Sequence, residues 1–318
     1  MIDNRAVVVD RAAPGHLAVR EVAWPEPKPS EAVVGVRAIS LNRGETRRAT
    51  SGPDGWRPGW DLAGVVVQAA ADGSGPSEST GVVGLLSSGA WAEFVAVPTN
   101  ALAELPDAVS FGEAATLPVA GLTALHALAR GGLAPGRSVC VTGATGGVGT
   151  FAIQLALLAG ARVTAQVRRP DQASGVRQIG ADAVVVGATM AAFDEHGPYD
   201  LILESVGGTC LGAALATLAR GGSCVSVGGS ASHEATCDFR RFRQTGRTTL
   251  YGFQLFDELA PEPASAGLAR LVGLVAEGRL KPIVGVEVPW SEIAVVAHRL
   301  LDRQFVGKAV LHVSAGPD

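Results

Sequence analysis

Residues 138–149 read SVCVTGATGGVG and are followed at once by the apolar run Thr150–Ala159. A β-branched run that stops at clustered glycines and continues as a helix is how a dinucleotide-binding βα unit begins. Gly146 would let the backbone approach a pyrophosphate, and Gly149 would let the helix pack tightly. The helix N-terminus would offer free N–H groups to the phosphates. The predicted loop residues are Ala144, Gly146, Gly147 and Val148.

The strand that should follow this helix indicates which dinucleotide binds. Residues 162–167 read RVTAQV and end in Arg168 and Arg169, where an NAD site would place an acidic residue on the ribose 2′-hydroxyl. Two guanidiniums suit a 2′-phosphate, and no carboxylate stands at that position to repel it. We therefore predict NADPH as the cofactor. The alternative is that both arginines only solvate a strand end.

Length and charge limit the remaining possibilities. A chain of 318 residues is long enough for about two domains, and a net charge of −4 offers no basic surface for nucleic acid. The N-terminus lacks a secretory apolar region, and no apolar stretch is long enough to span a bilayer. We expect a cytoplasmic protein whose partner is a small-molecule acceptor, with no nucleic acid and no membrane.

Four cysteines, at positions 140, 210, 224 and 237, are scattered without C-x-x-C spacing. We expect them to be small buried hydrophobes rather than metal ligands or disulfides.

The chain has three regions of different character. Residues 1 to about 121 contain short β-like runs between prolines and glycines, which suggests a barrel-like all-β unit. From residue 122 to about 255 strands alternate with helices, which implies a doubly wound parallel sheet. The tail contains two helices, Ala264–Gly278 and Ser291–Asp302, and a last strand, Lys308–Val313, that we expect to return to the first region. The strands predicted for the middle region are Val139–Thr142, Val163–Val167, Ala183–Val186, Leu201–Val206, Ser223–Gly228 and Thr249–Phe253.

Six blocks in this order resemble the medium-chain dehydrogenase/reductase superfamily, in particular its zinc-free quinone oxidoreductase branch. The blocks are LNRGE at 41–45, PGWDLAGVV at 58–66, GAWAEF at 89–94, LPVAGLTA at 117–124, the glycine loop, and VGKAVL at 306–311. The resemblance implies an α/β fold: a Rossmann doubly wound parallel sheet, residues 122–255, that binds NADPH, plus a GroES-like, mainly β catalytic domain, residues 1–121 and 256–318.

The positions that hold catalytic zinc in related alcohol dehydrogenases have changed. The ligating histidine of the Gly-His-Glu-x-x-Gly block is replaced by Trp60, and the first zinc-ligating cysteine is replaced by Asn42. The region of the third ligand reads VAG at 119–121. A catalytic zinc needs three protein ligands around an open position. We predict chemistry without metal. Hydride would then pass to an activated acceptor, a quinone or an α,β-unsaturated carbonyl or enoyl compound, whose own electrons delocalise the developing charge.

By resemblance, Asn42 and Thr123 lie beside the nicotinamide, and Gly307 and Lys308 approach its ribose. Asn42 could equally be a turn-capping amide, and Lys308 a surface lysine. Glu45 occupies the position of a family acid, with Asn42 the second catalytic candidate, although a carboxylate in the first turn of a helix is the simpler interpretation. The proton would come from water or from a polar group near these two residues.

The cofactor prediction also includes the end of the fifth Rossmann strand, Gly228, Gly229 and Ser230, where backbone passes the nicotinamide closely, together with Phe253. Aromatic side chains form a candidate substrate pocket, although each is more often plain core. The pocket residues are Trp56, Trp60, Trp91 and Phe253.

Two other functions fit part of this pattern. The short-chain dehydrogenases share a similar glycine loop but need a Tyr-x-x-x-Lys pair, whereas Tyr199 and Tyr251 are each followed four residues later by leucine. An NADPH-binding redox sensor or structural protein without turnover would need the same loop, so only an activity assay separates it from an enzyme.

The apolar run at 249–253, as the last strand of the parallel sheet, would leave backbone groups unpaired. We predict a homodimer that pairs this strand across a two-fold axis, unless the helix at 264–278 covers the edge.

Overall fold

A computed structural model describes residues 4–313. The strands are β1 Asn4–Val9, β2 Leu17–Val22, β3 Glu31–Leu41, β4 Asp61–Gln68, β5 Gly81–Leu85, β6 Phe94–Pro98, β7 Leu102–Glu104, β8 Ser138–Val141, β9 Arg162–Val167, β10 Ala183–Val186, β11 Tyr199–Glu204, β12 Leu218–Ser226, β13 Thr249–Gly252, β14 Val284–Pro289 and β15 Lys308–His312. The helices are α1 Arg43–Ser51, α2 Phe111–Ala115, α3 Pro118–Arg130, α4 Gly147–Leu158, α5 Ala173–Gln178, α6 Met190–Asp194, α7 Gly208–Ala216, α8 Phe239–Thr245, α9 Leu255–Glu258, α10 Ala264–Ala276 and α11 Ile293–Leu301. The chain divides into two compact units, after Leu122 and again after Glu258.

Unit 2, Thr123–Glu258, contains a six-stranded sheet in the order β10-β9-β8-β11-β12-β13. Every neighbouring pair is parallel. Numbered within the unit, this is the order 3-2-1-4-5-6 of dinucleotide-binding sheets, with the reversal between β8 and β11. The predicted parallel α/β fold is confirmed. Ligands of such sheets bind beyond the carboxyl ends of the strands at the reversal, which is where the glycine loop follows β8.

Unit 1 is built on a seven-stranded sheet in the order β14-β15-β3-β4-β5-β7, with β6 paired to β3. Strand β15 pairs antiparallel with β3, so the last strand returns to the N-terminal sheet as predicted. Its core packs around buried side chains such as Val34, Ile39, Leu62 and Leu311.

The expectation of an all-β first region was wrong, because α1, α2 and the first turn of α3 lie within it. Helix α1 has the sequence RGETRRATS, whose polar character gives no apolar periodicity to detect. It begins instead at a capping arrangement in which Glu45 Oε1 accepts the backbone N–H of Asn42, 2.8 Å away. The β-like runs of this region correspond to β1 and β3–β6, whereas β2, β7 and β14 had no predicted counterpart. Those runs are Ala6–Val9, Ala32–Ala38, Gly64–Ala69, Val82–Leu86 and Ala92–Val97.

Candidate functional site

The glycine loop of unit 2 has one glycine that packing requires and one that is less crowded. A Cβ at Gly149 would lie 2.6 Å from the Gly143 carbonyl oxygen and 2.7 Å from Ala144 Cα. Gly149 therefore lets α4 approach the loop itself, rather than the strand. A Cβ at Gly146 would meet one atom within 4 Å, the Gly143 oxygen at 3.3 Å, so Gly146 is crowded on that side alone. Gly146 also caps α4 without a side chain, which leaves the first N–H groups of the helix unblocked by a capping group.

Two buried polar side chains hold this loop, and sequence reasoning missed both. Gln166 Oε1 accepts the Gly143 N–H at 3.0 Å, while its Nε2 donates to the Gly187 oxygen at 2.8 Å. Glu204 Oε1 accepts the N–H groups of Val206 and Gly207 and the hydroxyl of Thr142. Burial raises the pKa of Glu204, although these hydrogen bonds act in the opposite direction. Each could have been noticed in the sequence as a polar residue in an otherwise apolar strand, Gln166 inside β9 and Glu204 at the end of β11.

Arg168 and Arg169 are exposed at the end of β9, but their surroundings differ from the prediction. Asp171 lies two residues further on and accepts a hydrogen bond from Arg169 Nε at 3.0 Å. No carboxylate stands at the strand end itself, and Asp171 is an additional acidic neighbour that the sequence-based prediction did not include. Arg168 makes no side-chain hydrogen bond or ion pair with any described residue, so it is the arginine available to a ligand.

The other residues predicted in unit 2 have structural contacts. Thr123 is buried in α3, and Phe253 is nearly buried, with its N–H bonded to the Ser226 oxygen. Gly228 has open space on its side-chain side, since a Cβ there would come no closer than 3.6 Å to another residue. A Cβ at Gly229 would lie 2.7 Å from the Ser232 oxygen, and the Ser230 N–H bonds to the Ser205 oxygen.

A buried polar cluster lies in unit 1, formed by Asn42, Glu45, Asp61 and Lys308. Lys308 Nζ contacts Asp61 Oδ2 at 3.1 Å and donates to Asn42 Oδ1. Asn42 Nδ2 in turn donates to Asp61 Oδ2 at 2.7 Å and to Glu45 Oε1 at 2.9 Å. Strands β3, β4 and β15 are neighbours in the sheet, and this brings residues from three distant parts of the sequence together.

The cluster holds one cation and two carboxyl groups, which have different environments. Asp61 accepts further hydrogen bonds from the Ser40 hydroxyl at 2.6 Å and the Val119 N–H at 2.9 Å. Glu45 Oε2 is buried without a hydrogen-bond partner among the described residues. Burial, and then the negative charge of Asp61, raises the pKa of Glu45 well above its usual range. Asp61 is therefore the carboxyl group that pairs with Lys308, and Glu45 is the one whose ionisation burial disfavours.

This arrangement changes three interpretations. Lys308 is 3% exposed, so the surface-lysine alternative was wrong. Glu45 has no exposed surface, which removes it from direct contact with an acceptor and makes it a positioning residue. Asn42 is the half-buried member of the cluster and also begins α1, so its capping and site interpretations coexist. Asp61 was overlooked as a partner, although it stood in one of the six quoted blocks.

The backbone at position 307 requires glycine. Its φ is +76°, and a Cβ would lie 2.0 Å from the Ile283 oxygen. Any other residue would push β15 away from the chain before β14, so Gly307 sets the position of Lys308.

The tryptophans separate into core and surface residues. Trp91 is fully buried in the core of unit 1, so it does not line an open pocket, and that part of the pocket prediction was wrong. Trp60 is half-buried and its ring lies 3.1 Å from the Cβ position of Gly44, beside the start of α1. Trp56 is half-buried under the guanidinium of Arg48, 4.9 Å from the ring centroid. Trp60 and Trp56 remain candidates for acceptor contact.

The donor set at these positions does not suit zinc. The side-chain amide of Asn42 is hydrogen-bonded to Glu45, Asp61 and Lys308. The Trp60 indole N–H donates to the Ser87 oxygen. Within residues 4–313 no group of three or more His, Cys, Asp or Glu side chains could hold a metal ion. The same residues contain no helix long and apolar enough to cross a membrane.

Cysteine burial follows the prediction at three positions. Cys140, Cys210 and Cys224 are buried free thiols, and Cys237 is half-buried and free. Burial raises the pKa of Cys210 to about 12, which makes that thiol a poor nucleophile.

The chain is similar in sequence and in fold to known oxidoreductases. The family model described as zinc-binding dehydrogenase matches residues 147–270. The 2-methylene-furan-3-one reductase of Solanum lycopersicum is 29% identical over 309 residues, which cover 92% of this chain and 74% of that protein. The chloroplast envelope quinone oxidoreductase homolog of Arabidopsis thaliana is 28% identical over 311 residues, covering 92% of each. The solved structure of mycobacterial Rv1454c complexed with NADPH has a TM-score of 0.87 at 26% identity and covers 97% of this chain and 99% of that one.

A parallel 3-2-1-4-5-6 sheet with a glycine loop, joined in one chain to a mainly β unit, defines a dehydrogenase/reductase of the medium-chain type. The chain belongs to the medium-chain dehydrogenase/reductase superfamily, in its quinone oxidoreductase-like branch, and it is an oxidoreductase.

Proposed function

We propose that this protein transfers hydride from NADPH, without zinc, to a quinone or to an α,β-unsaturated carbonyl or enoyl compound. The observation that carries the proposal is the buried cluster of Asn42, Asp61 and Lys308. Its oxygen atoms are already saturated by an ammonium and by amide, hydroxyl and backbone N–H groups. A site without a metal to polarise a simple ketone favours an acceptor that delocalises the charge itself.

The glycine loop of unit 2 suits the pyrophosphate of a dinucleotide. The absence of a side chain at Gly146 and the uncapped start of α4 suit the pyrophosphate, and Arg168 suits a 2′-phosphate. When bound, NADPH supplies a hydride to the electron-poor atom of the acceptor. Residues 122–255 are the cofactor domain of this proposal, and residues 1–121 and 256–318 form the catalytic domain. Asn42, Thr123, Gly307 and Lys308 are proposed to hold the nicotinamide and its ribose.

The chain's own polar groups position the reactants and do not donate the proton. Asn42 uses Nδ2 on two carboxyl groups and Oδ1 on Lys308, so its amide is held in one orientation. Glu45 lies beneath Asn42 and is fully buried. Since neither is free to give a proton to an acceptor, we assign the proton to solvent water.

The names of the relatives support the acceptor class. One is a reductase of 2-methylene-furan-3-one and another a quinone oxidoreductase homolog, and we extend that range of acceptors to this chain. We further propose a cytoplasmic homodimer paired through β13. Leu250 in this edge strand is 48% exposed, and the buried face of α10 contacts β5 and β7 of unit 1. Cell fractionation would test the location.

The test of function is oxidation of NADPH by chelator-treated protein with a benzoquinone, an alkenal and an enoyl thioester. We expect turnover with at least one acceptor, a preference over NADH, and no gain on adding zinc. Tight NADPH binding with no turnover on all three would support the sensor alternative, and activity restored only by zinc would overturn the metal-free mechanism.

A further inference from the structure

Arg57 is a half-buried arginine without a partner in unit 1. Its Nε has no solvent exposure and no hydrogen bond, and its guanidinium forms no hydrogen bond or ion pair with any residue in the range 4–313. Burial alone lowers the pKa of this guanidinium, with no acidic side chain acting against it. An arginine stays charged under all ordinary conditions, so a positive charge is held here uncompensated.

The backbone that carries Arg57 is rigid. The Ser88 hydroxyl donates to the Arg57 oxygen at 2.6 Å, and the next residues, Pro58 and Gly59, accept the N–H groups of Trp91 and Ala90. A Cβ at Gly59 would lie 2.4 Å from the Trp91 nitrogen, so the two chains are in direct contact. Arg57 is therefore on a fixed support, and not on a free loop.

A purely structural role does not account for this side chain. Arg48 already covers the Trp56 ring, whereas Arg57 stacks on no aromatic ring in the described part of the chain. An unpaired, partly desolvated guanidinium lowers stability unless a ligand compensates it. Such a group on a rigid support is what an oxyanion site requires.

The position of Arg57 connects it to the proposed reaction. It precedes Asp61 of the buried cluster by four residues, and four residues of extended chain span at most about 14 Å. Between them Trp60 lies against Gly44, at the start of α1. The backbone of Arg57 therefore lies within about 14 Å of that of Asp61, a separation that a small acceptor can span.

We infer that Arg57 binds an anionic group of the acceptor, a carboxylate or a phosphate, and so selects acceptors that carry one. The inference rests on the proposed function, since it names the substrate class of the same site. The planar guanidinium pairs with either oxyanion through two parallel hydrogen bonds.

The experiment compares charged acceptors with neutral counterparts. One pair is 4-oxopent-2-enoate and its methyl ester; the other is crotonyl-phosphopantetheine and crotonyl-pantetheine. The ratio of kcat/KM for charged over neutral acceptor is measured in the wild type, in Arg57→Gln and Arg57→Lys, and in the control Arg37→Gln, which removes an exposed arginine of the same unit. We expect Arg57→Gln to lower the ratio about tenfold or more for one pair, Arg57→Lys to restore part of it, and Arg37→Gln to leave it unchanged.

The pair that responds identifies the source of the oxyanion. Equal ratios in the wild type and Arg57→Gln for both pairs would overturn the inference while leaving the proposed function intact. If no acceptor is turned over, the proposed function fails, and calorimetry with the saturated analogues 4-oxopentanoate and butyryl-phosphopantetheine decides the inference separately. Binding that Arg57→Gln abolishes would support an oxyanion site, and no binding of either to the wild type would overturn it.

Discussion

At the scale of single residues, the buried cluster of unit 1 gives its two carboxyl groups different environments. Asp61 has an ammonium and three hydrogen-bond donors, whereas Glu45 has only the two N–H groups of Asn42. The ionised form of Glu45 would place a second negative charge beside Asp61 without water to screen it. Burial and the charge of Asp61 therefore favour the neutral form of Glu45 in the folded protein more than in the unfolded chain.

This difference predicts how stability depends on pH. The folded pKa of Glu45 is raised, so its contribution is complete below the unfolded pKa of about 4.3 and is lost as pH rises toward the folded pKa. Over that interval the free energy of unfolding of the wild type should fall, relative to Glu45→Gln, by up to about 1.4 kcal/mol per pH unit. Glutamine copies the neutral acid and does not titrate. Chemical denaturation of both proteins from pH 4 to 8 measures the difference, and a difference that rises with pH would show that Glu45 is ionised.

A second prediction at this scale concerns cofactor choice. Arg168→Ala should weaken NADPH binding about tenfold or more and leave NADH binding unchanged, because the arginine has no other partner. Asp171→Asn should strengthen NADPH binding, since it removes a carboxylate that occupies Arg169. Fluorescence titration with both cofactors measures these affinities, with Arg177→Ala as a control at an exposed arginine of α5. Equal losses for NADPH and NADH would contradict the assignment.

The residues that sequence reasoning missed share one property: their burial depends on distant parts of the chain. Asp61 was missed, and its partner Lys308 lies 247 positions away. Gln166 and Glu204 likewise look like polar strand residues until the loop after β8 packs on them. Asn42, Glu45 and Lys308 could be named because motifs surround them, but their contacts with one another and with Asp61 could not.

At the scale of elements, the nucleotide-binding half was predictable because local signals agree. Apolar strands, glycine breaks and helices alternate between residues 138 and 253, and the strands formed within a few residues of their predicted bounds. In unit 1 the strand pattern was partly readable, whereas α1 was not. Its nine residues bury Glu45, Thr46 and Ala49, so its position depends on capping and tertiary contacts rather than on an apolar face.

The glycine loop yields a matched pair of variants. Gly149→Ala should destabilise the fold by about 1–3 kcal/mol, because its methyl group would overlap the loop at Gly143 and Ala144. Gly146→Ala should cost less stability than Gly149→Ala, because its methyl group meets only the Gly143 oxygen, at 3.3 Å. It should also weaken NADPH binding, because the methyl group enters the space assigned to the pyrophosphate. Thermal unfolding and cofactor titration separate the two effects. A stable Gly149→Ala protein with normal NADPH affinity would contradict the loop geometry.

The edge strand β13 predicts the oligomeric state. Leu250→Arg should convert a dimer of twice 32.3 kDa into a monomer, because it places like charges across the two-fold axis. Leu158→Arg is the control, as Leu158 is 40% exposed on α4 of the same unit. Light scattering at micromolar protein concentration measures the molecular mass. A wild-type mass of 32.3 kDa would refute the dimer, and a dimer that survives Leu250→Arg would place the interface elsewhere.

At the scale of the whole molecule, the two units have separate tasks in the proposed reaction. Unit 2 has the open glycine loop and the free arginine that suit a nicotinamide dinucleotide phosphate. Unit 1 has a polar cluster whose ligating groups are already satisfied by Lys308, so it positions an acceptor without supplying a Lewis acid. The central step of the proposed reaction is direct transfer of hydride from NADPH to the acceptor.

The most direct measurement is deuteride transfer. Protein freed of metal by chelation is incubated with NADPH that carries deuterium at both C4 positions of the nicotinamide and with a simple enone, and the product is analysed by mass spectrometry and NMR. We expect one deuterium at the β-carbon, from the nicotinamide, and one solvent proton at the α-carbon, at a rate unchanged by added zinc. A product without deuterium at the β-carbon, or formed only after zinc is restored, would contradict it.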